Sequence, residues 1–233
     1  MDYSPIAGNY DRIESKAKTL LLLGYPAVIR FLSPLEGKKV LDYGCGTGIF
    51  SRHLRDQGIK ATGVDTSKGM IDVAKKTSPH GISYFRISSG DLSRFPERSF
   101  DHVVSNFVLC AVPAKSMIRK ILDEIFRVLR DNGSFILMNS NWEESNGREF
   151  VSFRLEYCDD LTSGQRVRAI TKSDPPIIFE DYFRSKEEYR DLIEEAGFKV
   201  ETIEEPLAKG NEPFWQDERE YPPFFLIAGR KMS

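Results

Sequence analysis

A chain of 233 residues with a formal net charge of −2, 40% hydrophobic and 29% charged residues, suits one α/β domain able to bury a sizeable core. The near-neutral balance excludes, in bulk, the strongly basic face of a dedicated nucleic-acid binder, so no nucleic-acid partner is expected. Cys45, Cys110 and Cys158 are widely spaced and form no CxxC pair. They fit buried thiols better than a disulfide framework or a zinc site. His53, His80 and His102 are isolated, so no protein-ligated metal is expected. The apolar run 19–29 is too short to span a membrane and is broken by Gly24 and Pro26. Asp2, Asp11 and Glu14 argue against a secretory leader, which makes the cytoplasm the expected location.

In chain order, residues 1–35 read as an N-terminal helical lead carrying Ile13, Ala17, Leu20, Leu21, Ala27 and Val28, interrupted at Gly24-Tyr25-Pro26. A regular alternation follows. VLDYG (40–44) is a short apolar strand, 48–57 a helix, ATGVD (61–65) a second strand and 67–76 a second helix. ISYFRIS (82–88) is a third strand, and a fourth begins at Phe100. The helix over 115–129 sets Ile118, Ile121, Leu122, Ile125, Phe126 and Leu129 on one stripe. Asp131-Asn132-Gly133 is expected to end it before a fifth strand, SFILMNS (134–140). Such repetition implies a parallel sheet with helices on both faces.

The alternation breaks over 141–184, a polar and aromatic stretch in which RVRAIT (166–171) and PIIFEDYF (176–183) look like short strands. A structureless loop of that length is unusual, so a structured insertion over a site is expected. Order resumes at Ser185, which opens a capping box with Glu188. The helix buries Tyr189, Leu192, Ile193 and Ala196, and Gly197 stops it. FKVETIEE (198–205) and PFFLIAGRK (223–231) are the final strands.

Gly44, Gly46 and Gly48 form G-C-G-T-G directly after the first strand and at the start of a helix. Lacking a Cβ, Gly44 and Gly46 let the backbone turn tightly and approach a ligand closely. This is not the dinucleotide G-x-G-x-x-G, because its third small position falls on Ile49. Asp42, just before the turn, would disfavour a pyrophosphate and suits a cationic ligand.

Val40-Leu41-Asp42-Tyr43-Gly44-Cys45-Gly46-Thr47-Gly48 resembles the first motif of the class I S-adenosylmethionine-dependent methyltransferases. Later segments in order and at normal spacing strengthen it: Gly63-Val64-Asp65-Thr66-Ser67 with Met70, Gly90-Asp91-Leu92, 100–106, and 128–133, where Asp131 and Asn132 replace the family's Pro and Gly. Asn9-Tyr10-Asp11 resembles an N-terminal tyrosine motif of the same family.

The resemblance implies a Rossmann-like, mostly parallel seven-stranded sheet with helices on both faces and an antiparallel last strand. It also implies a single domain with an N-terminal helical lid (1–35) and a small inserted substrate cap (141–184). S-adenosyl-L-methionine is the implied cofactor. Asp65 would take both ribose hydroxyls, a task suited to a carboxylate that accepts two hydrogen bonds at once. Thr66 and Met70 would lie beside it, with Asp91 near the adenine amine and Leu92 next to it. Asn106 and Phe107 would meet the methionine end, Tyr10 would close over it, and Asp42, Gly44, Cys45 and Gly46 would form the turn.

A small-molecule acceptor is the leading expectation. Ser105-Asn106-Phe107-Val108 is not the [DNS]-P-P-[YF] that resembles enzymes methylating base or glutamine amines, and no Pro-Cys dipeptide is present for a cytosine-C5 nucleophile. Trp142, Phe150, Phe153, Tyr157, Phe179, Tyr182 and Phe183 are candidates either for an apolar acceptor pocket or for the cap's own core. An RNA or protein acceptor, which would call for a basic patch beside the pocket, and a non-catalytic cofactor-binding protein are the alternatives. No catalytic base stands out: His53, His102, Tyr157, Glu180, Tyr182, Arg184 and Trp215 are all weaker as bases than as packing or surface residues.

Overall fold

The computed structural model describes residues 4–34, 37–78 and 80–233; the ends of the N-terminal lead, 1–3 and 35, lie outside them. Seven strands form one sheet in the order β3-β2-β1-β4-β5-β10-β9. Its parallel part comprises β1 (Lys39–Tyr43), β2 (Lys60–Asp65), β3 (Ser83–Arg86), β4 (Phe100–Asn106) and β5 (Leu129–Ser140). β10 (Phe224–Lys231) runs antiparallel between β5 and β9 (Phe198–Glu204). This is the Rossmann-like arrangement expected from the sequence, with its antiparallel last strand.

Apolar faces bury both sides of the sheet. On one side α5 (Lys115–Val128) and α7 (Lys186–Glu195) pack Ile118, Ile121, Leu122, Tyr189 and Ile193 against Val103, Phe135 and Ile227. On the other side α2 (Tyr25–Phe31) and α3 (Ile49–Asp56) bring Tyr25, Ala27, Val28, Phe50 and Leu54 against Val40, Val104 and Ile136. α4 (Lys68–Thr77) lies beyond the glycine turn and is capped by Ser67, whose Oγ accepts from the Met70 N–H.

Two local expectations change. Asp131-Asn132-Gly133 does not separate helix from strand, because β5 already begins at Leu129. The turn residues are absorbed as a bulge: Phe100 pairs with Leu129 and His102 with Ser134, so two steps on β4 face five on β5. Asn132 takes a φ of 61° to make this possible, a conformation Asn tolerates better than most residues. The capping box is half formed. Ser185 Oγ accepts from Glu188 N–H, but the Glu188 carboxylate pairs with Lys115 Nζ at 2.6 Å instead of returning to the cap.

The segment between β5 and α7 has its own structure. After α6 (Trp142–Ser145), strands β6 (Phe153–Leu155), β7 (Arg166–Thr171) and β8 (Ile178–Tyr182) form an antiparallel meander. Trp142, Phe150, Leu155, Val167, Ala169 and Phe183 form its core. N-terminal to the main sheet, α1 (Ala7–Glu14) packs on α4, and Arg52 on α3 holds Asp11 at 2.9 Å. A π-helical turn, Leu20–Gly24, joins α1's segment to α2. Among the described residues, no helix is long and apolar enough to cross a membrane.

Close packing where β2 meets the glycine turn makes one position sensitive. A Cβ on Gly63 would lie 2.6 Å from Tyr84 Cδ1 and 2.8 Å from Cys45 Sγ, both on buried side chains. Gly63→Ala is expected to lower the urea midpoint without changing the slope, at a cost of about 1–3 kcal/mol.

Candidate functional site

Strand order reverses between β2-β1 and β4-β5, the place where open α/β sheets leave a crevice at the carboxyl ends of their strands. A cavity of about 550 Å³ occupies that place. Gly44 forms part of its wall with a φ of 77°, and a Cβ there would lie 2.1 Å from Val108 Cγ2. Only glycine lets the loop after β4 come this close while the turn keeps its left-handed backbone.

The turn's amides converge. Gly44 and Cys45 N–H both donate to Val64 O at 2.8 and 2.9 Å, and Gly46 N–H donates to Asp65 Oδ2 at 2.9 Å. Asp65 Oδ1 accepts from Ser67 N–H at 2.8 Å. Burial raises the Asp65 carboxyl's pKa, while the Ser67, Gly46 and Thr66 amides pull it down. Each oxygen thus has a backbone donor within 2.9 Å, and the carboxylate retains acceptor capacity.

The end of β4 forms the opposite part of the wall. Asn106 lines the cavity with both polar atoms of its side-chain amide lacking a hydrogen-bond partner among the described residues. Phe107 follows with a φ of 56°, held by a 2.8 Å bond from its N–H to Met138 O. For a bulky side chain this conformation costs roughly 1–3 kcal/mol, which surrounding contacts must offset. Its ring meets Phe224 edge-on at 5.4 Å, and Phe224 stacks on Phe153 of the inserted sheet at 5.7 Å. Phe179 of β8 closes the ring of aromatics, edge-on to Tyr10 of α1 at 6.0 Å.

Of the twelve positions named from the sequence, Tyr10, Gly44, Asp65, Thr66, Met70, Asn106 and Phe107 line the cavity, and Asp42, Cys45, Gly46, Asp91 and Leu92 do not. Asp42 lies behind the wall: its carboxylate accepts from Ser51 Oγ at 2.6 Å, and burial pushes it up to about 7 despite that bond. Cys45 packs with Ile71, Ala74 and Tyr84. Gly46 turns its N–H to Asp65. Asp91 is exposed and spends its carboxylate on the Ser93 hydroxyl and amide. Leu92 is a core residue, fully buried. In that segment it is Ser89, together with Ile87, that reaches the wall.

The weighed bases fare differently from what residue type suggests. His102 sits mid-sheet, lowered by burial to about 4, and His53 packs on the Tyr25 ring at 5.3 Å. Glu180, Tyr182, Tyr157, Arg184 and Trp215 are absent from the wall, whereas Glu14 and Asp181 stand in it. Strand parity carries the signal that was missed: on β8, Phe179 and Asp181 share one face, and Glu180 and Tyr182 the other. The aromatics also divide. Phe153 and Phe179 line the cavity, Trp142, Phe150 and Phe183 form the insertion's core, and Tyr157 is 68% exposed.

Sheet order and crevice define the class, an α/β protein with its binding site at a topological switch point. Comparison with known proteins names it. Residues 41–137 match a family described as a methyltransferase domain. A demethylmenaquinone methyltransferase of Tropheryma whipplei is 30% identical over 182 residues, spanning 74% of this chain and 71% of that one. The N-demethylindolmycin N-methyltransferase of Streptomyces griseus is 27% identical over 216 residues, spanning 89% of each. In fold, the crystal structure of an S-adenosylmethionine-dependent methyltransferase from Mesorhizobium loti matches with a TM-score of 0.64 at 21% identity, over 88% of this chain and 96% of that one. The chain belongs to the class I S-adenosylmethionine-dependent methyltransferases and is an enzyme of that family.

Its buried carboxyls make stability depend on pH in a definite direction. Asp42 moves from 3.8 to about 7 in the folded chain, so the native state holds a proton that the unfolded chain has lost. That stabilisation is complete below pH ~4 and falls as pH rises toward ~7. Asp42→Asn, which keeps an acceptor for Ser51, is expected to raise the urea midpoint at pH 8 by a few kcal/mol equivalent and leave it nearly unchanged at pH 4.

Proposed function

We propose that this chain transfers the methyl group of S-adenosyl-L-methionine to a small-molecule acceptor held beneath the inserted sheet. The observation that carries this reading is the cavity wall: Phe107, Phe153, Phe179 and Phe224 line it, and among the described residues no Lys, Arg or His belongs to it. A macromolecular acceptor with a phosphate backbone calls for basic side chains beside the reacting centre. An aromatic-walled pocket fits a small apolar body instead. Relatives named as methyltransferases of demethylmenaquinone and N-demethylindolmycin support the same reading.

The wall also fits the cofactor. A pyrophosphate would meet Asp65 and Glu14 without a counter-charge, whereas a sulfonium and an ammonium suit them. Asp65, pre-set by the Gly46 and Ser67 amides, is the acceptor for the two ribose hydroxyls, with Thr66 and Met70 beside it. The unpaired amide of Asn106 offers donor and acceptor to the amino-acid end, under Tyr10. Asp42, Cys45 and Gly46 support the turn from behind, and Asp91 and Leu92 hold the loop whose Ser89 reaches the wall. When bound, the cofactor supplies an electrophilic methyl whose C–S bonding pair returns to sulfur as the new bond forms. The chain's own task is to exclude water and hold the acceptor atom roughly 3–3.5 Å away and in line. The N-terminal helix (lid) and the inserted sheet (cap) provide that enclosure.

Two measurements check the reading. Asp65→Ala should weaken S-adenosylhomocysteine binding in calorimetry by about tenfold or more, and an unchanged affinity removes Asp65 from the ribose role. Coupled detection of homocysteine across a small-molecule library should yield turnover, and methylation confined to RNA or protein substrates would sink the small-molecule assignment.

A further inference from the structure

The charges on the cavity wall are all of one sign. Among the described residues, Glu14 of α1, Asp65 at the end of β2 and Asp181 of β8 line it, and no basic side chain does. Asp65 is engaged by two backbone amides. Glu14 stands on the N-terminal helix, close enough to raise the Tyr25 hydroxyl's pKa together with Asp42, on the glycine-turn side of the cavity. Asp181 belongs to the other wall, formed by the inserted sheet, with Phe179 two residues earlier on the same face and Ala169 and Thr171 on the neighbouring β7.

Asp181 is 6% exposed, and among the described residues its carboxyl faces the thiol of Cys110, on the turn after β4. Burial pushes its carboxyl up to about 6, with the Cys110 contact pulling weakly the other way. Buried carboxylates ordinarily carry a counter-charge or several donors, because desolvation is costly without them. Arg184, two residues after β8, does not supply it: its Nη2 donates to Pro113 O at 2.6 Å. Ser140, at the end of β5, is 7% exposed and lines the same cavity. Around both stand the faces of Phe153, Phe179 and Phe224, surfaces that attract cations as well as apolar bodies.

We propose, resting on the small-molecule reading above, that the acceptor is an amine on an apolar or aromatic body and that Asp181 is the residue that binds its nitrogen and takes its proton. The ammonium form pairs with the carboxylate, and the aromatic walls hold the body. One N–H bond then breaks, its proton passes to a carboxylate oxygen of Asp181, and the pair left on nitrogen forms the new bond to the methyl carbon as the carbon–sulfur bond breaks and its pair goes to sulfur. After release of the methylated amine, the carboxyl returns its proton to water. A carboxylate-bearing acceptor would meet three acidic side chains with no cation among the described wall residues to offset them, and a neutral alcohol would bring Asp181 no counter-charge.

Matched probes test this: phenethylamine, phenethyl alcohol and phenylpropanoate, and the indole series tryptamine, tryptophol and indolepropanoate. Each is titrated by calorimetry into the full chain saturated with S-adenosylhomocysteine. In at least one series the amine is expected to bind about tenfold or more tightly than the carboxylate, and Asp181→Asn to abolish that preference. S-adenosylhomocysteine affinity should stay within about twofold of the parent in that variant, which also shows that it folds. Asp181→Ser makes the same assignment if the Asn variant does not fold. No series in which the amine leads, or a lead that survives loss of Asp181, overturns the proposal. Failure of the parent chain to bind S-adenosylhomocysteine at all would instead remove the methyltransferase site reading beneath it.

Discussion

One carboxylate ties the site together. Asp65 accepts the Gly46 amide from the turn after β1 and the Ser67 amide from the start of α4, so two adjacent strand-to-helix junctions share a single anion. Each bond is charge-assisted and therefore stronger than an ordinary amide hydrogen bond. The same contacts keep a largely buried carboxylate ionisable, because they oppose the desolvation that would otherwise protonate it. Gly44 can then fold back to within reach of Val108, and the loop after β4 closes one side of the cavity. If the Asp65 anchor were lost, the turn, the helix start and the strand-end loop would no longer share a reference point.

Closure comes from elements outside the parallel sheet. α1 brings Tyr10 and Glu14, and the inserted meander brings Phe153, Phe179 and Asp181. Their meeting point is the Tyr10–Phe179 contact, while Phe107, Phe224 and Phe153 join the insertion to the sheet by ring packing. Aromatic contacts of this kind give large buried area with few rotors to freeze. They also lower the local dielectric, which strengthens the electrostatic interactions of Asp65, Glu14 and Asp181.

Much of this was legible in the sequence because its causes are local. Glycines in G-C-G-T-G, the apolar strands and the acid after β2 each report a backbone requirement within a few residues. The helical stripe of α5 and the Ser185 cap are local in the same way. The positions that do not line the cavity, or that join other elements than their type suggests, share a different character. Asp91 and Leu92 sit next to the wall, but a one-residue difference in direction gave one to a solvent-facing turn and the other to the core. Asp131-Asn132-Gly133 has turn chemistry, yet pairing of β5 with β4 absorbed it as a bulge. On β8, Phe179, Glu180 and Tyr182 were all named as candidates, and strand parity put Phe179 and the unnamed Asp181 on the wall.

The sequence by itself determined the sheet's chemistry, the glycine turn and the family, since strand, turn and carboxylate lie within one βαβ stretch and their spacing sets their geometry. It could not determine the rest of the cavity wall. That wall joins α1, the ends of β4 and β10, and a meander whose strands come from between β5 and α7. Which face of each element points inward depends on packing between segments more than a hundred residues apart, so only the tertiary structure put Glu14, Asp181 and four phenylalanines around one cavity.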